Sequence, residues 1–196
     1  MTSAERLDCH FFNRPTLQVA RELLGTRLVR LENGERTAGI IVETEAYRGE
    51  EDLGCHAHVG LTPRTRVLYG PPGRTYVYFT YGHYWMLNFV AEREGFPAAV
   101  LIRGIVPTVG LERISARRAG RPPEHWTDGP GKLCLALAIG RPQNDQDLCA
   151  PKAEIFVEYA ETFPDASVTI GPRVGLYSVP EPWKSIPWRF QAHYQP

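Results

Sequence analysis

The chain has 196 residues, of which 43% are hydrophobic and 22% are charged, a balance typical of one globular domain with a sizeable core. Its 22 basic and 22 acidic residues cancel, which argues against a purely electrostatic nucleic-acid binder. No apolar run reaches the roughly 20 residues of a membrane helix, and the N-terminal segment lacks a secretory signal, so we expect a protein that is neither membrane-bound nor secreted. The four scattered cysteines include no C-x-x-C pair, which favours free thiols over a disulfide framework or a zinc ribbon.

The first elements along the chain are a helix and a hairpin. An amphipathic pattern predicts a helix over residues 15–24, because proline suits its first turn and a glycine follows its last residue. A strand is predicted over residues 26–31, and Asn33-Gly34 is typical of a tight hairpin turn. The second arm of this hairpin is a strand over residues 38–47.

This second arm carries two carboxylates, Glu43 and Glu45. Side chains alternate along a strand, so both should project from the same face. An ionised carboxylate is costly to bury without partners. The pair therefore lies either on a solvated face beside arginines or in an active site mounted on a rigid strand.

The segment 48–74 contains no convincing strand, and long loops in compact domains are often functional. It includes Cys55-His56-Ala57-His58, but no second ligand pair at a suitable spacing supports a zinc site. A short helix is predicted over residues 62–68. Arg64 in this helix is either a DNA phosphate contact or an ordinary solvated arginine.

The most aromatic stretch, residues 75–89, predicts two strands joined near Tyr81-Gly82. Most of its rings should be core. Tyr81 would stand at the hairpin tip, where an exposed aromatic ring can act as a wedge in a base stack. Asn88 lies within an apolar strand, so its amide must bond either to local backbone or to a polar ligand.

A buried strand over residues 98–105 is interrupted by Arg103. A guanidinium cannot be neutralised by deprotonation, so it must reach water or a carboxylate. Glu43 and Glu45 are the attractive partners, and contact with both would place all three in one site.

The second half of the chain is predicted to contain helices over residues 107–118 and within 128–139. The latter begins with a glycine-rich turn that lacks the G-x-x-x-x-G-K-[ST] pattern of nucleotide triphosphatases. Its Lys132 could still contact one DNA backbone phosphate near a helix N-terminus. Short strands are predicted at 155–157, 168–170 and 188–190.

Taken in order, these stretches resemble the alkyladenine DNA glycosylase family, the 3-methyladenine DNA glycosylases of the alkylpurine type. The matching segments are VETEAY (42–47), the stretch 52–56, TPR (62–64), YVYFTYG (76–82), Asn88, VLIRG (100–104), GPGKLCLALAI (129–139), RVG (173–175) and PWRF (187–190). The resemblance implies an α+β fold over residues 1–196, a single mixed domain with a curved antiparallel β-sheet, flanking helices and a protruding β-hairpin. It also implies no metal or organic cofactor and a partner in double-stranded DNA containing damaged purines. A monomer is the default expectation.

The catalytic roles implied by the resemblance centre on Glu45 as the general base that activates water. Arg103 and the backbone carbonyl of Val174 match groups that hold this water. Glu43 is then a supporting carboxylate that holds Arg103 or a loop amide. The motifs contain no lysine placed to form a Schiff base with the sugar, so we expect a monofunctional glycosylase.

The resemblance also implies a pocket for an extruded base. Tyr47, His56 and Tyr78 match its walls and hydrogen-bonding edge, and Asn88 matches the side chain that discriminates against the exocyclic amine of guanine. Tyr81 matches the residue that is inserted where the flipped nucleotide was.

Two other functions remain open from the residues alone. Alternate residues of a strand lie roughly 6.5–7 Å apart, so Glu43 and Glu45 could also serve an inverting carbohydrate hydrolase. The chain could instead be a non-catalytic module that binds damaged DNA.

Overall fold

The computed structural model describes residues 5–80 and 82–194, which form one antiparallel sheet of eight strands with four α-helices. This confirms the predicted α+β class. The strands are β1 (Arg27–Glu32), β2 (Glu35–Arg48), β3 (Thr75–Thr80), β4 (Tyr84–Val90), β5 (Ala98–Val109), β6 (Ile155–Glu158), β7 (Val168–Gly171) and β8 (Arg189–Ala192). The helices are α1 (Cys9–Phe12), α2 (Thr16–Glu22), α3 (Leu111–Arg117) and α4 (Pro130–Ala136).

The sheet is organised around β2, its longest strand. The order β3-β4-β5-β2-β1-β6 places β2 near the centre and the β3–β4 hairpin at one edge. On one side, β2 pairs with β5 along most of its length. On the other side it pairs first with β1 and then, from Glu43 to Glu45, with β8. The carboxylate-bearing end of β2 is therefore fixed between two neighbouring strands.

Two irregularities interrupt the ladder between β2 and β5 beside these carboxylates. Ile41 pairs with Ile105 and Glu43 with Gly104, which leaves Val42 without a direct partner. The next pair joins Thr44 to Ile102, so Arg103 is the extra residue on β5. A bulge turns side chains away from strict alternation, and here it lies where Arg103 meets the carboxylates of β2.

The main hydrophobic core lies between the sheet and the N-terminal helices and α4. Its largest fully buried side chains include Phe12, Leu23, Ile41, Phe89 and Leu133. The Thr44 hydroxyl donates to the carbonyl of Ala20 in α2 at 2.8 Å, so Thr44 faces this helix. Glu43 and Glu45 project from the opposite face of β2, as predicted from the alternation.

The helices and turns show where local patterns succeed and fail. The hairpin turn is confirmed, because Asn33 and Gly34 have φ of 52° and 81°. The predicted helix over 107–118 is wrong at its start, since β5 continues through Pro107 to Val109. Pro107 pairs with Gly39 next to a register shift, where a strand can accommodate proline. No helix in the described part of the chain is long and apolar enough to cross a membrane.

The segment 48–74 contains two short 3-10 helices, His56–Val59 and Arg66–Tyr69. The helix predicted over 62–68 is therefore wrong in type and starts later. The Thr65 hydroxyl accepts from the Thr62 amide at 2.8 Å, which favours a turn before Arg66.

The expectation of four free thiols is wrong for two of them. Cys9 and Cys149 form a disulfide with their Cα atoms 5.8 Å apart, across a sequence separation of 140 residues. Pairing over such a distance leaves no sign in local cysteine spacing. Cys55 and Cys134 are free and buried.

Candidate active site

Glu45 is fully buried, with a relative exposure of 0%. Its Oε1 accepts from the backbone N–H of Val174 at 2.6 Å, and its Oε2 accepts from the Tyr47 hydroxyl at 2.7 Å. Arg103 Nε lies 3.4 Å from Oε1. The interpretation of a solvated carboxylate face is therefore wrong, and Glu45 is held by groups from three separate segments.

This environment raises the pKa of Glu45 above its ordinary value. Burial is the largest cause, because it removes the charged form from water. Arg103, the Val174 N–H and the Tyr47 hydroxyl oppose the rise, whereas the nearby charge of Glu43 adds to it. The carboxylate is thus a stronger base than a solvated glutamate.

Glu43, which lies on β2 with Glu45, also contacts Arg103 of β5. Its Oε1 accepts from Arg103 Nε at 3.0 Å and from Arg189 Nε on β8 at 2.6 Å. Burial alone would lower the pKa of Arg103, but the charges of Glu45 and Glu43 outweigh it and raise the pKa. The predicted meeting of Arg103 with both carboxylates is confirmed, with Glu43 at the shorter distance.

A cavity of about 330 Å³ opens in front of Glu45. This volume is near the lower end for small-ligand sites, which run from roughly 300 to 1,000 Å³. Every predicted base-pocket residue reaches it. The lining residues include Tyr47, His56, Tyr76, Tyr78, Met86, Asn88, Leu101, Arg103 and Val174. Glu45 lies directly behind three of these, namely Tyr47, Arg103 and Val174.

The aromatic wall of the cavity is built by β3 and the loop before it. The His56 ring packs edge-on against Tyr78, with ring centres 4.4 Å apart. His56 Nδ1 lies 3.0 Å from the hydroxyl of Tyr76, a contact that the sequence patterns did not single out. Burial first, and then the charges of Arg64 and His58, lower the pKa of His56 to about 4. His56 is therefore neutral at physiological pH, with one donor and one acceptor nitrogen.

Asn88 lines the cavity from β4 and is almost completely buried. Its Nδ2 donates to the carbonyl of Tyr76 on the paired strand at 3.0 Å. Local backbone thus satisfies part of the amide, and this bond fixes the orientation of the side chain at the cavity wall.

A second buried ion pair, between Arg173 and Asp52, stabilises the segment next to the site. Arg173 donates to both oxygens of Asp52, at 2.5 and 2.8 Å, and both side chains have 0% exposure. Its guanidinium also lies 4.7 Å from the ring centre of Tyr47. Since Arg173 precedes Val174, the pair fixes the segment that donates to Glu45. A Cβ at Gly54 would meet Arg173 Nη2 at 2.8 Å, which explains the glycine there.

Two of the three residues predicted to contact DNA, Arg64 and Lys132, lie within the described part of the chain. Arg64 is exposed, with its guanidinium carbon 5.6 Å from the ring centre of Tyr78. Lys132 Nζ forms a surface ion pair with Asp128 at 2.9 Å. The preceding residue, Gly131, packs against the ring of Tyr84. Tyr81 lies outside the described residues.

Within residues 5–80 and 82–194, one group of side chains is close enough to share a metal ion, namely Cys9, Asp147 and Cys149. Its two sulfurs are joined in the disulfide, and none of the three lines the cavity. The cavity itself is lined mostly by aromatic and apolar residues, together with Cys55, Thr80, Asn88 and Arg103. These groups suit a flat organic ring better than an ion.

The fold and the site define an enzyme in which a buried carboxylate stands behind an aromatic, ring-sized cavity. The chain belongs to the Methylpurine-DNA glycosylase (MPG) family, which matches residues 10–196. This confirms the predicted family and the enzyme class, a monofunctional DNA glycosylase that hydrolyses N-glycosyl bonds.

Relatives from distant organisms share most of the chain and are provisionally named 3-methyladenine DNA glycosylases. One from Myxococcus xanthus is 46% identical over 91% of this chain and 86% of its own length. Another from Methanocella arvoryzae is 46% identical over 95% of this chain and 92% of its own. A third from Chlorobaculum parvum is 41% identical over 94% and 86%.

Proposed function

We propose that this protein excises alkylated and deaminated purines of the 3-methyladenine, 7-methylguanine, hypoxanthine and ethenoadenine class from double-stranded DNA. A water activated by Glu45 hydrolyses the N-glycosidic bond and leaves an abasic site. The observation that carries the proposal is the buried carboxylate of Glu45, whose contacts Tyr47, Arg103 and Val174 all line one aromatic cavity. Residues 1–196 act as one domain and as a monomer.

The substrate base reaches this cavity by leaving the duplex, at a cost of a few kcal/mol that is smallest for damaged pairs. Tyr47, Tyr78 and His56 then offer aromatic faces to it. An alkylated, cationic purine gains roughly 0.5–2 kcal/mol over such a face. Neutral His56 adds no competing positive charge to the pocket.

Cleavage of the glycosidic bond builds positive charge on the sugar while water attacks. Glu45 accepts the proton of this water, and its negative charge stabilises the sugar cation. The raised pKa of Glu45, caused mainly by burial, increases its strength as a base. Arg103 and the backbone carbonyl of Val174 hold the water. In support, both residues contact Glu45 and line the cavity.

Four further residues select the base and contact the DNA. Asn88, with its amide nitrogen bonded to Tyr76, rejects purines that carry the exocyclic amine of guanine. Tyr81 fills the gap left by the flipped nucleotide. Arg64 and Lys132 contact backbone phosphates, and Lys132 would exchange its pairing with Asp128 for a phosphate.

The test is single-turnover excision by Glu45→Gln on duplexes carrying each of the four lesions. The amide keeps the size of the side chain but cannot accept the proton, so we expect excision to fall by at least about 100-fold. Lesion binding should persist, because the cavity wall is unchanged. Near-normal excision by this variant would refute the role of Glu45.

The same assay separates the alternatives. A non-catalytic module would bind lesion duplex but release no free base even at high protein concentration. A carbohydrate hydrolase would release reducing sugar instead of purine.

Tyr81→Ala should weaken lesion binding and reduce the fluorescence change of a base analogue placed at the lesion.

A further inference from the structure

Arg103 is shared unequally between two carboxylates. Its Nε lies 3.0 Å from Glu43 Oε1 but 3.4 Å from Glu45 Oε1. Within residues 5–80 and 82–194, all its ion pairs use Nε, and the side chain also lines the cavity. The shorter of its two contacts is therefore with Glu43, and neither carboxylate lines the cavity itself.

Glu43 is itself held by a second arginine. Arg189 Nε donates to the same Oε1 at 2.6 Å, and Arg189 Nη2 donates to Gln191 at 2.9 Å on the same strand. In the β2–β8 ladder, Arg189 stands opposite Glu45, yet its guanidinium pairs with Glu43. The arginine that could neutralise Glu45 across the strands is thus committed to its neighbour.

We propose that Glu43 and Arg189 are positioning residues that hold Arg103 toward the cavity and keep its Nε closer to Glu43 than to Glu45. The inference rests on the proposed role of Glu45 as general base. Arg189 fixes Glu43, and Glu43 draws the Nε of Arg103 to itself. The remaining nitrogens of Arg103 are then available to a water or to the substrate at the cavity.

The arrangement balances the charges that surround Glu45. The groups that face it are Glu43 and Tyr47 on β2, Arg103 on β5, Arg189 on β8 and the N–H of Val174, with Tyr78 and Arg173 acting through Tyr47. Removal of Glu43 would free Arg103 for Glu45. Removal of Arg189 would leave Glu43 to hold Arg103 alone. The two changes should therefore affect the base in opposite directions.

The experiment is the pH dependence of single-turnover excision, compared between wild type, Glu43→Gln and Arg189→Gln. In Glu43→Gln the acid limb should move down by about one pH unit, because an arginine near a carboxylate stabilises its charged form. The rate on the plateau should fall about ten-fold, because the base is weaker. In Arg189→Gln the limb should move up, and Arg189→Lys should return it toward its wild-type position.

The control is Glu158→Gln, which removes another buried carboxylate held by two arginines, Arg27 and Arg36, on strands away from the cavity. We expect it to change stability but not the pH profile. If Glu43→Gln does not fold in a thermal melt, the two variants of the half-buried Arg189 decide the question. If Glu45→Gln is inactive, the positioning role is overturned by an acid limb of the pH profile that does not move. It is equally overturned by equal shifts of that limb in the Glu43 and Arg189 variants. Excision by Glu45→Gln would instead overturn the proposed function.

Discussion

Two buried carboxylates of the site, Asp52 and Glu45, differ in how closely an arginine is paired with them. Both have 0% exposure and both contact an arginine. Asp52 receives two guanidinium nitrogens of Arg173 at 2.5 and 2.8 Å, together with the backbone N–H groups of Arg48 and Gly54. Glu45 also accepts hydrogen bonds, from the Val174 N–H and the Tyr47 hydroxyl, but the guanidinium nitrogen beside it, Arg103 Nε, is 3.4 Å away.

This difference distinguishes a structural carboxylate from one that can take part in proton transfer. A buried carboxylate that has a bidentate arginine and further N–H donors is saturated, and its removal leaves an unpaired buried cation. Burial raises the pKa of Glu45, and the longer contact with Arg103 does not cancel the rise, so Glu45 can take up a proton. Asp52 thus fixes the frame, and Glu45 is left reactive within it.

The largest effect should come from breaking the saturated pair with Asp52→Asn. Arg173 would remain buried without the negative charge of its partner, so we expect the free energy of unfolding to fall by about 3–5 kcal/mol. Chemical denaturation measures this loss directly. Excision should fall as well, because Arg173 precedes the Val174 amide that donates to Glu45.

Asp165→Asn is the matched control for this change. Asp165 also pairs with an arginine, Arg21, at 2.6 Å, but its side chain is 97% exposed. Surface pairs contribute little, so the unfolding free energy should be nearly unchanged. Equal losses in the two variants would contradict a special role for the buried pair.

The pH dependence of excision tests the reactive member of the comparison. Since Glu45 must be ionised to accept a proton, the rate should fall about ten-fold per pH unit below its raised pKa. Tyr47→Phe removes a hydrogen bond to the charged form and should move this limb to higher pH. His56→Gln should leave its position unchanged, because the pKa of His56, lowered mainly by burial, is about 4. A limb that disappears in His56→Gln would assign the titration to the histidine.

Much of the site followed from local sequence patterns. Strand alternation placed Glu43 and Glu45 on one face, and the Asn33-Gly34 turn set the hairpin that supports them. Arg103 inside an apolar strand had to reach water or a carboxylate, and its predicted contact with Glu43 and Glu45 is present. The aromatic stretch of β3 and β4 predicted core rings, whereas the family resemblance, not the local pattern, assigned Tyr78 and Asn88 to a base pocket.

The parts that were missed depend on distance along the chain or on backbone irregularity. Asp52 and Arg173 are 121 residues apart, so no spacing rule connects them. The disulfide between Cys9 and Cys149 has the same character. Pro107 was interpreted as a helix start, but pairing of β5 with β2 prevailed over local propensity. Tertiary pairing is the information that a single sequence expresses least.

A smaller effect concerns the stability cost of the reactive carboxylate. The pKa of Glu45 is raised in the folded state, mainly by burial, so the folded protein binds this proton more tightly than the unfolded chain does. Its contribution to stability is therefore lost as pH rises from the unfolded pKa through the folded pKa. Glu45→Gln should raise the free energy of unfolding at neutral pH and make it less dependent on pH in that window. Denaturation at pH 4 and pH 8 measures both, and a destabilised variant at neutral pH would contradict the comparison.

The smallest expected effect tests whether Arg64 and Lys132 bind DNA phosphates. Each lysine or arginine that neutralises one phosphate contributes a slope of about 0.9 to the fall of log affinity with log salt. Lys132→Ala and Arg64→Ala should each reduce this slope by about 1 and weaken lesion and undamaged duplexes alike. Lys152→Ala, a change of an exposed lysine, provides the comparison for a general charge effect. Because Lys132 is paired with Asp128 and Arg64 lies over Tyr78, an unchanged slope in either variant would assign that residue to internal support instead.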